Sequence, residues 1–429
     1  MKLFFKFIII GIFFIGFNES EANTLLESLQ SAYLNNSKLN AERASMRASR
    51  EEKREAVSDF LPTITISGYN SAQDNSKGNS LDSYFEPQER AFTVEQKIFQ
   101  GFSGVANLQK KRKGQKLGKS KLKKVEQEIL LEAAKVHTEL LLNKKKVNIN
   151  LTNVDLLERQ VETDQNRLEK GEINLTDLAQ SEASLAGARA SLITAENDLV
   201  TSKANFENIV GKKITEENIQ GVMDFNLSLP ESLATAYKIS NSENPNLQIS
   251  LLELEQSKMD VAIAGAELSP SATLSYKIAE QDDFSSTVQQ RTQQTVTATA
   301  TWPLFAGGKN AFNYRKFQEI KNQKELLFED QKKTTQTEVA NAWSSYQSSK
   351  SVLDSIRLQV TAAEIANEGI TLEYESGTSR TTLEVIQSRS ILLNSRINLA
   401  TAERNFLISQ FNLLSAVGRL TGNQLNLKK

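Results

Sequence analysis

The 429-residue chain has no cysteine, one histidine and only six prolines, and past its N-terminus no stretch is apolar enough to cross a membrane as a helix. Without cysteine there is neither a disulfide framework nor a thiolate metal site. With His137 as the lone imidazole, no histidine-based metal centre or Ser-His-Asp relay can be assembled, and His137 reads as a helix-surface residue. A phosphate-cradling glycine loop and a Gly-x-Ser-x-Gly elbow are also missing. These absences argue against an enzyme and leave no cofactor or metal to expect. A formal net charge of −1 gives no global attraction to nucleic acid. With hydrophobic residues at 39%, any passage of the mature chain through a bilayer has to use β-strands.

The N-terminus reads Met1-Lys2-Leu3-Phe4-Phe5-Lys6, continues apolar to Phe17 and ends in Ser20-Glu21-Ala22. A basic start, a short apolar run and a small-x-small site make residues 1–22 a signal peptide. The rival, a membrane anchor, is disfavoured because the uninterrupted run Phe7 to Phe17 falls short of the ~20 residues a spanning helix needs.

What is present is a text written twice. Leu26-Glu27-Ser28-Leu29 returns as Pro230-Glu231-Ser232-Leu233, Phe60-Leu61-Pro62 as Leu268-Ser269-Pro270, and the Gly171 turn as the Gly377 turn, always 204 to 208 residues later. Such a period exceeds that of solenoid repeats, so two copies of a whole fold are joined, one over 23–211 and one over 212–429. The prolines, at 62, 87, 230, 245, 270 and 303, avoid 104–229 and 304–429, which are therefore free to be helical. Apolar residues recur there every seven positions: Leu140, Val147, Val154, Val161, Leu168 and Leu178, Leu185, Leu192, Leu199, Phe206 in the first copy. Tyr346, Leu353, Val360 and Val385, Leu392, Leu399, Phe406, Leu413 answer them in the second. Sustained heptads mean coiled-coil packing, and a helix over 104–170 would be about 100 Å long. Each copy is thus expected to form a long helical hairpin, about 104–211 and about 308–420, turning at its glycine.

Upstream of each rod the period changes from seven to two. In Thr63-Ile64-Thr65-Ile66-Ser67, Phe92-Thr93-Val94, Ser271-Ala272-Thr273-Leu274-Ser275-Tyr276 and Val296-Thr297-Ala298-Thr299, apolar residues alternate with Thr, Ser and Lys. Strands are expected at about 62–70, 91–100, 270–279 and 294–304, near the ~9 to 11 residues of a tilted membrane strand, with lipid on one face and water on the other. The polar stretches 70–89 and 280–293 read as exposed loops. A barrel needs at least about eight strands, so open edges must be met by other chains. A basic run between Lys110 and Lys124 reads as a solvated helix face, with anionic lipid head groups as a second possible partner.

The strand-to-helix junctions Gln96-Lys97-Ile98-Phe99-Gln100-Gly101 and Trp302-Pro303-Leu304-Phe305-Ala306-Gly307-Gly308, the tip Tyr374-Glu375-Ser376-Gly377-Thr378-Ser379-Arg380-Thr381-Thr382-Leu383-Glu384-Val385, and the closing Gln410-Phe411-Asn412-Leu413-Leu414 resemble the TolC family of outer-membrane efflux and secretion channels. The resemblance covers essentially the whole mature chain. It implies an α+β, mainly α, fold and a homotrimer, with four strands from each protomer in one twelve-stranded outer-membrane β-barrel. The helices would form a periplasmic α-barrel. The implied partners are outer-membrane lipid, a periplasmic adaptor and an inner-membrane ABC or proton-driven transporter; no nucleic acid is implied.

The same resemblance implies a gate near the hairpin tips. Thr176 and Asp177 match its first-copy lock residues, and Tyr374 and Arg380 their second-copy partners. Glu384 and Gln387 match a selectivity ring, and Gly171, Gly377 and Thr378 lie at the tips an adaptor would contact. Two departures stand out: the tip carries an extra residue near Ser379, and a neutral amide, Gln387, replaces the second acid, which implies weaker cation block. The competing class is a periplasmic coiled-coil scaffold, or an adaptor, without channel activity.

Overall fold

The computed structural model describes residues 24–77, 80–213, 227–285, 288–376 and 380–427. The signal-peptide expectation for 1–22, and the tip residues Gly377 and Thr378, lie outside them. The elements run α1 (Leu25–Asn35), α2 (Ser37–Ser58), β1 (Thr63–Asn70), β2 (Gln73–Lys77), β3 (Ser80–Phe85), β4 (Gln88–Gln100), α3 (Ser103–Glu169) and α4 (Leu175–Val210). They continue α5 (Leu233–Glu243), α6 (Pro245–Ala266), β5 (Ser271–Ser285), β6 (Val288–Thr301), α7 (Lys309–Glu375) and α8 (Thr382–Val417). α1 and α5 are both 11 residues, α2 and α6 both 22, α3 and α7 both 67, and α4 and α8 both 36. Even the caps repeat: Asn36 and Asn244 each accept, through the side chain, from the backbone N–H groups of the second and third residues of α2 and α6.

The long hairpins pack by heptads, and one buried seam along them is made of small residues. It runs through Ser181, Ala188, Ala195 and Ser202 in α4 and through Ser388, Ser395, Ala402 and Ser409 in α8, while larger buried side chains such as Phe206 and Val210 of α4 and Phe411 and Leu413 of α8 lie towards the C-terminal ends of the same helices. Leu178, Leu185, Leu192 and Leu199 flank that seam half-buried. Small side chains let the paired helices approach closely, with Val154 and Leu157 of α3 set against Ala188. At mid-height α1 and the C-terminal segment wrap α3 and α8, where Leu29, Leu130, Phe411, Leu414 and Leu420 are wholly enclosed.

Part of the basic run is taken up by contacts within the protomer, while Arg112, Lys116, Lys119, Lys121 and Lys124 are exposed as a solvated face would be. Lys110 reaches Asp260 of α6 at 2.6 Å, Lys111 reaches Glu52 of α2 at 2.8 Å, and Lys113 pairs with Glu255 of α6. Lys123 donates to the Glu243 carbonyl at 2.8 Å, and burial pushes its ammonium pKa down. α2 and α6 flank α3 and bring carboxylates to the lysines. Each partly exposed pair contributes only about 0–1 kcal/mol, yet together they fix the register of three helices.

The main sheet has the order β1-β4-β5-β6, antiparallel throughout, with β1 and β6 at its edges. Its register sorts the alternation into rows. Ile66, Phe92 and Ile278 form one row, completed on the edge strand by Gln294, and Ile64, Val94, Tyr276 and Val296 form the next, all on one face. The opposite face carries Thr65, Thr93, Lys277 and Thr295, then Thr63, Glu95, Ser275 and Thr297. The stretches expected to be loops differ: β2 and β3 form their own hairpin, and β5 and β6 run on through 280–285 and 288–293. There the strands continue although apolar alternation has stopped, because Thr and Gln hold a ladder as long as no bilayer demands an apolar face.

At the foot of the sheet, left-handed backbone turns strand into helix, at Gly101 and Phe102 in one case and at Gly307 and Gly308 in the other. A Cβ at Gly101 would lie 2.6 Å from the Ala266 carbonyl oxygen, so this crossing admits only glycine.

Candidate functional site

Near the tips, the hairpin α3–α4 meets the hairpin α7–α8 around one enclosed carboxylate. Asp164 of α3 is 0% exposed and continues the buried heptad series Asn143, Asn150 and Leu157. Ser181 of α4 donates to its Oδ2 at 2.5 Å, and Gln160 Nε2 donates to its Oδ1 at 2.9 Å. From the other hairpin, the Tyr374 hydroxyl donates to Oδ1 at 3.2 Å while lying 3.0 Å from the Thr382 hydroxyl. Arg167 stacks on the Tyr374 ring, 4.6 Å from its centroid. Burial, followed by the Asp164 charge among the raising causes, lifts the Tyr374 pKa above its ordinary value, so the phenol stays protonated and donating.

Arg389 of α8 belongs to the same neighbourhood. Its Nη1 is enclosed without a hydrogen-bond partner, and its pKa is lowered by burial, partly offset by Glu375, Asp164 and Tyr374. The constellation is peculiar to this pairing of copies. Leu168 occupies the position in α3 that Tyr374 occupies in α7, 206 residues later, and Ile370 stands where Asp164 does.

The residues matched by resemblance are placed as follows. Tyr374 contacts Asp164 rather than Thr176 or Asp177. Thr176 is exposed on the first turn of α4, and Asp177 closes that helix's capping box with Asn174, accepting from its backbone N–H at 3.3 Å. Gly171 has φ +73° in the turn, where Glu172 N–H returns to the Arg167 carbonyl at 2.9 Å. Arg380 is bound within its own hairpin, to Glu373 at 2.6 Å and to Glu384 at 3.0 Å. Glu384 accepts from the Thr381 backbone N–H at 2.8 Å, and that bond, followed by Arg380, holds its carboxyl below the usual carboxylate range. Gln387, one turn on, is exposed. Asp164 and Arg389 went unnoticed in the sequence; the one signal was a charged residue at a buried heptad position, in a series that already carries Asn143 and Asn150.

His137 is not on a helix surface. It is 1% exposed beside Phe206, at 6.0 Å between ring centroids, with Nδ1 2.8 Å from the Ser28 hydroxyl. Among the described residues no group of three or more His, Asp or Glu is arranged to hold a metal, and no helix is long and apolar enough to cross a membrane.

Comparison with known proteins points to the same fold. The chain is 25% identical over 411 residues to the outer membrane efflux protein BepC of Brucella suis biovar 1, across 95% of this chain and 88% of that one. It is 23% identical over 434 residues to the outer membrane protein TolC of Escherichia coli K12, across 97% and 87%. The crystal structure of the Campylobacter jejuni CmeC outer membrane channel superposes with a TM-score of 0.82 at 15% identity, covering 92% of this chain and 86% of that one. The fold is therefore the TolC-like one expected, and the scaffold and adaptor alternatives are not favoured. The sequence profile of the family described as Outer membrane efflux protein matches residues 28–212 and 236–419, both copies in full order, and the chain belongs to that family.

Proposed function

We propose that this outer-membrane efflux channel works as a homotrimer, an exit duct that an adaptor and an inner-membrane ABC or proton-driven transporter engage at its periplasmic tips. The observation that carries this reading is the four-stranded sheet with unpaired edges at β1 and β6 and one predominantly apolar face. Such a sheet is stable in a bilayer only if neighbouring copies close it, and three copies give twelve strands. The helices call for the same neighbours: Leu358, Ile365 and Leu372 of α7 form an exposed stripe at heptad spacing, as do Ile193 and Val200 of α4. The test is a heat-modifiable trimer in the outer-membrane fraction that conducts ions in a planar bilayer; a monomer without conductance overturns the reading.

The gate follows from the same assembly. Within a protomer Tyr374 ties the two hairpins through Asp164, and across the protomer boundary Thr176 and Asp177 are the partners of Arg380. Three Glu384 carboxylates ring the axis, but each is compensated by its own Arg380 and by the N-terminus of α8. Cation block is accordingly weak in the native channel. Arg380→Ala is expected to do two things at once: raise conductance modestly, because exposed ion pairs are worth little, and strengthen La³⁺ block on the order of tenfold by uncovering three carboxylates. Unchanged La³⁺ block in the variant removes Glu384 from the ring.

A further inference from the structure

A cavity of about 1140 Å³ opens where the polar face of the sheet meets the start of α7. Ser271, Thr273 and Thr301 line it from the sheet, all in rows of the polar face, and below them come residues of α7 at helical spacing. Three lysines share it: Lys97 of β4, and Lys309 and Lys316 of α7. Among the described residues none of the three makes an ion pair with a carboxylate, although their sequence neighbours Lys110, Lys111 and Lys324 all do. The one acid lining the cavity, Glu267, is held by Asn313 at 3.0 Å. Apolar surface completes the lining, from Phe99, Pro303 and Phe312.

The geometry points to a binding site for amphipathic organic anions, an aromatic or alkyl body carrying a sulfonate or carboxylate, at the junction of β-barrel and helical tunnel. Uncompensated ammonium groups attract the anionic head, and the Phe312 and Pro303 surface takes the apolar body. The inference rests on the duct reading, which turns the polar face of the sheet inward, so that threefold repetition would make nine lysines a basic belt around the path of cargo. Such a belt draws anions upward from the tips and slows their exit only as far as the local charge requires.

Equilibrium binding tests the belt without requiring conduction. The probe is 2-naphthalenesulfonate, titrated by fluorescence against the full trimer in nanodiscs of uncharged phosphatidylcholine, with empty discs subtracted. The expected result is saturable binding that weakens about tenfold in the combined variant Lys97→Gln, Lys309→Gln, Lys316→Gln and is retained when the same three become arginine. The cationic analogue 1-naphthylmethylammonium is expected to bind more weakly than the sulfonate and to gain, not lose, affinity in the glutamine variant. Equal affinity of native protein and glutamine variant for the sulfonate, or absence of saturable binding, overturns the site. Planar-bilayer conductance of the same preparations judges the duct separately: a conducting native trimer that does not bind the probe leaves the duct standing and the belt refuted.

Discussion

Asp164→Ala is expected to raise single-channel conductance several-fold, more than any single substitution at the exposed tip residues, while the trimer still assembles. The ranking follows from burial. Arg380, Glu373 and Glu384 are solvent-exposed, and such pairs contribute about 0–1 kcal/mol. Asp164 is fully enclosed and accepts from Ser181, Gln160 and Tyr374, so its removal takes the acceptor from Ser181 and Gln160, cuts the Tyr374 bond between the hairpins, and removes a buried carboxylate whose charge acts on the half-buried Arg389. Breaking a buried charged network by deleting one partner costs about 3–5 kcal/mol. Only the share of that loss that falls on contacts between the hairpins, the Tyr374 bond first among them, biases the gate toward opening.

Tyr374→Phe separates the latch from general loosening, because it removes one hydroxyl and keeps the ring under Arg167. Loss of that hydroxyl is worth about 1 kcal/mol, so conductance is expected to rise less than in Asp164→Ala. In the double variant the effects should be less than additive, since both substitutions cut the same Tyr374–Asp164 contact. Native conductance in Asp164→Ala, with the trimer intact, sinks the latch. Additive effects would show that the two residues act separately and that the hairpins are held elsewhere.

Much of this architecture was legible because two periodicities are forced by solvent. A strand between lipid and water must alternate every two residues, and Ile64, Ile66, Phe92, Val94 and Tyr276 do so against threonines. A rod of paired helices must repeat every seven, and Val154 and Val161 do so. Where solvent stopped forcing a pattern, reading failed. β5 and β6 continue as a Gln- and Thr-rich ladder beyond the apolar rows, and α1, α2, α5 and α6 are too short for heptads to accumulate. In the hairpins, leucines caught the eye while Ser181, Ala188, Ala195 and Ser202 occupied the buried seam, because close helix packing selects small volume rather than hydrophobicity. The cluster around Asp164 was hidden for a related reason. Asp164 and Tyr374 are 210 residues apart, and only the crossing of two hairpins joins them.

His137 supplies the other large effect, on stability rather than conductance. Ser28 Oγ donates to the Thr24 carbonyl at 3.1 Å, so its proton is committed and the imidazole hydrogen belongs on Nδ1, facing that oxygen. Nε2 is then a bare lone pair, enclosed without a partner in a cluster that includes Val136, Leu140, Phe206 and Val210. Protonation would place a charge there with nothing to accept it, and burial lowers the pKa from 6.5 to about 4. The sign follows from linkage. Above pH 6.5 the ring is neutral in both folded and unfolded chains and contributes no pH dependence; as pH falls toward 4 the unfolded chain binds the proton first, and stability drops. The loss amounts to about 2 kcal/mol per protomer at pH 5 and about 3 kcal/mol below pH 4. His137→Gln removes the titration, so its denaturation midpoint, measured at fixed protein concentration, is expected to change less than the native one between pH 7 and pH 5. Parallel pH profiles for the two proteins would mean that the buried imidazole is charged in the fold or has found an acceptor. Because the readout is the difference in slope, any constant cost of the substitution itself cancels.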